Sequence, residues 1–190
     1  MAADFVAARL NMVESQVRTN DVTDVRLHDA MRAIPREALI PADKAFQAYA
    51  DVDVEYAPGR FLLRPREVSK LLQAARPVEG ERALAIAAPY AAAVLEAVGL
   101  DVTRFDAEEL KALPGADYDL IVVEGAVTHA PQTWLDALAP GGRLLVIERN
   151  GPTGQAVYYV RADDGVGRRT LFDAMAPVLP GFEPKAGFAF

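Results

Sequence analysis

Between Glu81 and Val98 the chain contains no glycine, and that absence constrains it more than any other feature. The stretch reads as a buried strand, Ala83 to Ala87, a connection made of Ala88-Pro89, and a helix from Tyr90 to Val98. A short apolar strand feeding straight into a helix is the opening unit of a doubly wound α/β domain. The first turn of such a domain normally uses glycines to admit the polar end of a nucleotide-type ligand. An alanine–proline elbow keeps the architecture but removes that device, since proline has no N–H to donate and stiffens the turn.

The rest of the second half repeats the alternation. A strand is predicted over Val102–Phe105, a helical turn over 107–113, and a near-continuous apolar strand over Leu120–Val123. A helix over Pro131–Leu138 then ends at Ala139-Pro140-Gly141-Gly142 and feeds a strand over Arg143–Ile147. Unbroken apolar strands separated by helices imply a parallel sheet covered on both faces. Ala156–Arg161 and Arg168–Phe172, joined through Asp163-Asp164-Gly165, read as an antiparallel hairpin.

The first half is helical. One helix is predicted over 4–18 and a second from a Thr23-Asp24 cap to Pro35. A third is expected from Pro41, and a fourth over Pro65–Ala75, with 51–65 irregular between them. The 190 residues suit a single domain. Its expected parts are an extension over 1–75 and a sheet core over 76–190.

Composition narrows the function classes. A net charge of −7 argues against nucleic acid or an anionic membrane as partner. Zero cysteine excludes disulfides and thiolate chemistry, and a cytoplasmic location is expected from it. No metal motif is evident, and GxSxG is absent.

Two segments carry a signature. The first holds Met12-Val13, Gln16-Val17-Arg18, Pro35-Arg36-Glu37, Ile40-Pro41 and Ala48-Tyr49-Ala50-Asp51; the second runs Tyr118 to Gly125 and closes on Pro140-Gly141-Gly142-Arg143-Leu144. Together they resemble the protein-L-isoaspartate O-methyltransferase family. The resemblance implies a Rossmann-like S-adenosylmethionine-dependent methyltransferase fold. That fold has a mostly parallel sheet, an antiparallel C-terminal hairpin and an N-terminal helical extension. It also implies methyl transfer from S-adenosylmethionine to damaged isoaspartyl residues of proteins, as protein repair.

Three places in this chain depart from that pattern. In the cofactor loop the acidic position falls on Ala85, and Ala87, Ala88 and Tyr90 line the shortened turn. The ribose-binding acid falls on Asp106 or Glu108, or else these residues and Glu109 form a solvated helix start. The segment 101–117 is too short for two strands and their helices, so the third strand of the family fold is expected to be missing, with its middle helix shortened. In the substrate loop the family's hydroxyl residue is absent from Arg60-Phe61-Leu62-Leu63-Arg64. Either the two arginines hold a substrate carboxylate or the loop seals the sheet edge.

Glu124, Thr128 and His129 lie beyond a central strand, where open α/β sheets bind ligands. His129 is either a base or ligand contact or a helix-capping residue. His28 is expected to be packed in its helix. Two main functions stay open, beside a third in which the reshaped crevice binds another small ligand. One is a degenerate methyltransferase fold with S-adenosylmethionine binding weak or lost, kept as a binding or scaffold protein, alone or as a homodimer. The alternative is an active enzyme with an unusual cofactor loop. Phe188 and Phe190 are expected to offer a sheet edge to a partner.

Overall fold

The computed structural model describes residues 4–184. Helix α1 (Phe5–Met12) starts at Asp4, whose carboxylate accepts the Ala7 amide at 3.0 Å. It runs on through a wide turn over Val13–Val17 and a tight one over Arg18–Asn20, so the helix predicted over 4–18 is continuous. Helix α2 (Val25–Ala33) is capped by Asp24, which accepts the Arg26 amide at 2.9 Å, and it stops ahead of Pro35. The helix expected from Pro41 is instead a tight 3₁₀ run over Ala42–Gln47.

The segment read as irregular over 51–65 folds as a hairpin of β1 (Val54–Ala57) and β2 (Arg60–Leu62). Pro58-Gly59 makes its turn, with Gly59 at φ +68°. Helix α3 (Pro65–Ala75) follows, with proline at its first position as expected.

Next come β3 (Arg82–Ile86), α4 (Pro89–Ala97), β4 (Asp101–Phe105) and β5 (Tyr118–Val127). The chain continues with α5 (Gln132–Asp136), β6 (Leu138–Arg149), β7 (Gly154–Ala162) and β8 (Gly165–Asp173). The sheet runs β4-β3-β5-β6-β7-β8, with β3 to β6 parallel and the last two strands antiparallel. This is the Rossmann-like architecture that the alternation implied. Strand β4 is an edge, which agrees with a missing third strand.

Two expected helices come out differently. The segment 107–113 is a turn-rich connection, because Leu110 is pulled inward and its carbonyl accepts the Trp134 indole N–H at 2.8 Å. Helix α5 ends early because Leu138 already pairs with Tyr118 on β5.

Side chains alternate across the sheet and build two cores. Ala83, Ala85, Leu120 and Val122 pack under α3, α4 and the extension residues Met12, Leu27 and Met31. Leu84, Ile86, Ile121 and Val123 pack under Leu110, Trp134 and Phe182. Each large apolar side chain buried in this way contributes about 1.5–3 kcal/mol. The chain after β8 returns across the sheet end, pairing Val178 with Ala126. The edge expected from Phe188 and Phe190 lies outside the described residues. Among the described residues no helix is long and apolar enough to cross a membrane.

Candidate functional site

The elbow between β3 and α4 keeps the backbone shape of a glycine turn without the glycine. Ala87 sits at φ +48°, a left-handed conformation that costs a non-glycine residue about 1–3 kcal/mol, and its amide donates to the Phe105 carbonyl at 2.8 Å. Ala88 has no side chain able to cap the helix, and Pro89 has no N–H. The Ala92 amide is bonded to the Ala88 carbonyl at 2.9 Å. The first turn of α4 therefore has the Tyr90 and Ala91 amides left to offer.

Glu124 takes the second. Its Oε1 accepts the Ala91 amide at 2.6 Å and its Oε2 accepts the Leu63 amide at 3.1 Å. The residue is wholly buried. A kink in β5 brings it there, since from Val122 to Ala126 β5 advances four residues while β6 advances two, Leu145 to Ile147. At the kink Gly125 has φ +153°, and a Cβ there would lie 2.6 Å from Leu179 Cγ. Burial pushes the Glu124 carboxyl up to about 7, against the downward pull of these amides and of the buried Arg36. The Arg36 guanidinium lies 4.4 Å from the Tyr90 ring centroid and donates to the Ala48 and Leu63 carbonyls at 2.8 and 2.7 Å.

Asp106 ends β4 with both oxygens occupied. Oδ1 accepts Arg60 Nε at 2.7 Å and Oδ2 accepts the Tyr56 hydroxyl at 2.6 Å, both from the β1–β2 hairpin. Arg60 also donates to the Ala107 carbonyl at 2.9 Å. Beside Asp106 lies a cleft of about 200 Å³ lined by Ala85, Ala88, Pro89, Arg104, Phe105 and Asp106. Ala87 and Tyr90, expected in the same lining, are wholly buried in the two cores. Glu108 and Glu109 lie in the connection that follows, with no helix to start.

The Arg60–Arg64 segment points its chemistry inward. Leu62 and Leu63 are wholly buried and Phe61 is half-buried. Arg64 is committed to Asp53, with Nη2 2.9 Å from Oδ2. Both arginines are committed to the protein's own carboxylates, Arg60 to Asp106 and Arg64 to Asp53.

A larger cleft, about 510 Å³, opens beyond the ends of β5 and β6 and includes Thr128 and His129. There Glu148 accepts the Tyr159 hydroxyl at 2.5 Å, Arg168 Nη2 at 2.6 Å and the Ala130 amide at 3.1 Å, with His129 Nδ1 3.6 Å away. Burial would raise its carboxyl, but these donors outweigh burial and hold it below the usual range. His28 is buried, its Nε2 2.8 Å from the Val22 carbonyl. Among the described residues no group of three or more His, Asp or Glu could hold a metal. Sequence reasoning assigned no role to Arg36, Glu67, Glu148 or Arg149. Arg36 was legible only as part of Pro35-Arg36-Glu37, and the other three carried no local signal.

No family model matches the chain. Among curated proteins it is 34% identical over 173 residues to protein-L-isoaspartate O-methyltransferase 1 of Rhodopseudomonas palustris, covering 76% of this chain and 71% of that one. It is 32% identical over 178 residues to the protein-L-isoaspartate O-methyltransferase of Methylorubrum populi, covering 80% and 84%. The chain belongs to the protein-L-isoaspartate O-methyltransferase family. A third member, from Koribacter versatilis, is 30% identical over 197 residues, covering 89% of this chain and 88% of that one.

Solved protein-L-isoaspartate O-methyltransferase structures agree on the fold. One superposes with a TM-score of 0.71 at 19% identity, over 91% of this chain and 66% of that one. Another, described as such a methyltransferase from Plasmodium falciparum and solved with S-adenosyl-L-homocysteine, gives 0.67 at 17% identity, over 90% and 97%.

A cofactor of that kind needs donors at the helix start, a free ribose acceptor and room. In this member of the family Glu124 holds the Ala91 amide, Tyr56 and Arg60 hold Asp106, and the cleft beside Asp106, about 200 Å³, falls below the roughly 300–1,000 Å³ of small-molecule sites. The residues present do not fit the group.

Proposed function

We propose that this protein has left methyl transfer and serves as a binding or scaffold protein built on the methyltransferase fold. The observation that carries the reading is Glu124. A buried carboxylate of the chain itself sits on the Ala91 amide at the helix start, which would otherwise meet the polar end of S-adenosylmethionine. A bound cofactor would have to displace it and leave a buried carboxylate without its donors, a penalty of about 1–3 kcal/mol per lost partner. Asp106 adds an independent obstacle, because the hairpin already occupies both of its carboxylate oxygens. The natural occupant under this reading is a protein, in keeping with a family that acts on isoaspartyl-containing proteins. The extension over 1–75 and the sheet core over 76–190 work as one domain, which their shared apolar core supports.

The test is a titration of the purified protein with S-adenosylmethionine and S-adenosylhomocysteine by calorimetry and thermal shift. A ligand present at about a hundred times its dissociation constant stabilises a fold by about 2.7 kcal/mol. The expected result is no heat and no shift at millimolar ligand, with no methyl incorporation into isoaspartyl peptides. Saturable micromolar binding would overturn the proposal and restore the active-enzyme reading.

A further inference from the structure

Of the chain's asparagines, Asn11, Asn20 and Asn150, the last alone is followed by glycine. The pair Asn150-Gly151 lies in the loop 150–153, which joins Arg149 of β6 to its ladder partner Gly154 of β7. Both residues are exposed, and Asn150 also lines the cleft beyond β5 and β6. Among the described residues the Asn150 side chain has no hydrogen-bond partner, and neither does the Gly151 N–H. Gly151 has φ +115°, and apart from its chain neighbours no heavy atom lies within 4 Å of the place a Cβ would take. The loop is fixed only after this peptide, where Arg149 Nε donates to the Gly151 carbonyl at 3.0 Å.

A nucleophile and an electrophile thus stand side by side with neither one tied down. The Gly151 nitrogen, on losing its proton, bonds to the side-chain carbonyl carbon of Asn150, and the missing Cβ leaves the approach unshielded. The Cγ–Nδ2 bond breaks as the succinimide ring closes, and Nδ2 takes up a proton and leaves as ammonia. Water then opens the ring at either carbonyl, giving aspartate or isoaspartate at position 150. No other reactant is needed.

The comparable sites in the chain are protected. Asn20 is held at both ends of its amide, Nδ2 donating to the Gln16 carbonyl at 2.9 Å and Oδ1 accepting Arg66 Nε at 3.2 Å. Asn11 lies within α1 and is followed by the buried Met12. Asp164-Gly165 has the right neighbour, but Gly165 is paired with Ala162 across the β7–β8 turn, and an aspartate has to expel water.

We propose that Asn150-Gly151 is a modification site at which this protein forms isoaspartate without an enzyme. The product lengthens the main chain by one carbon and adds a carboxylate to the cleft wall next to Arg149. It also turns the protein into a methyl acceptor for isoaspartate methyltransferases, whether or not it transfers methyl groups itself.

The test incubates the full-length protein at mildly alkaline pH in water enriched in heavy oxygen. Peptide mass spectrometry with electron-transfer fragmentation then locates the label and separates isoaspartate from aspartate. Label is expected at position 150, largely as isoaspartate, at least about tenfold faster than at Asn11 or Asn20. The aged protein is expected to accept methyl groups from an added active isoaspartate methyltransferase, and Asn150→Gln aged alongside to lose most of that acceptance. A chain left unlabelled at position 150 would overturn the proposal, as would labelling no faster than at the other two asparagines. Aspartate without isoaspartate would overturn it too, because direct hydrolysis bypasses the ring. The mapping is done on the unaltered sequence, so its outcome does not depend on whether the variant folds.

Discussion

At Glu124 a carboxylate is held where water cannot reach it, and its proton affinity rises to match. Its ordinary value is 4.5 and the fold raises it to about 7. The folded state therefore keeps the proton over a pH range where the unfolded chain has released it. Stability from this group is fully present below about pH 4.5 and is lost as pH rises through about 7, by about 3 kcal/mol in total. We expect the stability of the wild type relative to Glu124→Gln to fall across that window in denaturant titrations at stepped pH. The glutamine cannot ionise, so a parallel pH dependence in the two proteins would show that Glu124 does not titrate between those limits. Little of this was legible in the sequence. Glu124 was identifiable as a residue beyond a central strand, but its turn inward depends on the Glu124-Gly125 kink and on the Leu63 amide, 61 residues earlier in the chain. A contact between residues so far apart leaves no local pattern.

The β1–β2 hairpin shows how an element can close a site with polar contacts. Its sequence alternates around Pro58-Gly59, and that turn signal was available. The segment nevertheless read as irregular because each strand has only three or four residues. What holds the hairpin down is Arg60, largely buried, on Asp106 and Ala107. We expect Arg60→Ala to cost about 1–3 kcal/mol. Amide hydrogen exchange should rise first across 54–62 while β3 and β5 stay protected. Uniform loss of protection over the sheet would mean that the hairpin and the sheet unfold together. By contrast the long strands were legible, since Leu120–Val123 and Leu144–Ile147 are continuous apolar runs whose burial on both faces leaves few alternatives. The stretch 107–113 misled because AEELKAL has good helix formers, and the single anchor of Leu110 to Trp134 outweighs their preference.

For the molecule as a whole, the departures from the methyltransferase pattern support one another. The elbow, the carboxylate on the Ala91 amide, the hairpin clamp and the missing edge strand belong to four different parts of the fold. Restoring one leaves the others in place. Lengthening Ala88-Pro89 into a glycine-rich turn together with Ala85→Asp is therefore expected to give no S-adenosylmethionine binding by calorimetry and no methyl transfer to isoaspartyl peptides. A methyltransferase signal from that variant alone would sink the view that the crevice was lost in several places. The sheet order, by contrast, survives such changes, because it rests on the two apolar faces and not on the crevice.

Trp134 is the chain's single tryptophan. It lies wholly buried where the β4–β5 connection, through Leu110, meets the returning tail, through a Phe182 ring 5.2 Å away. The protein thus carries one intrinsic fluorophore at the seam between those two segments. Its emission colour and quenching report whether both are docked, so a partner that pries either one loose announces itself without any added label.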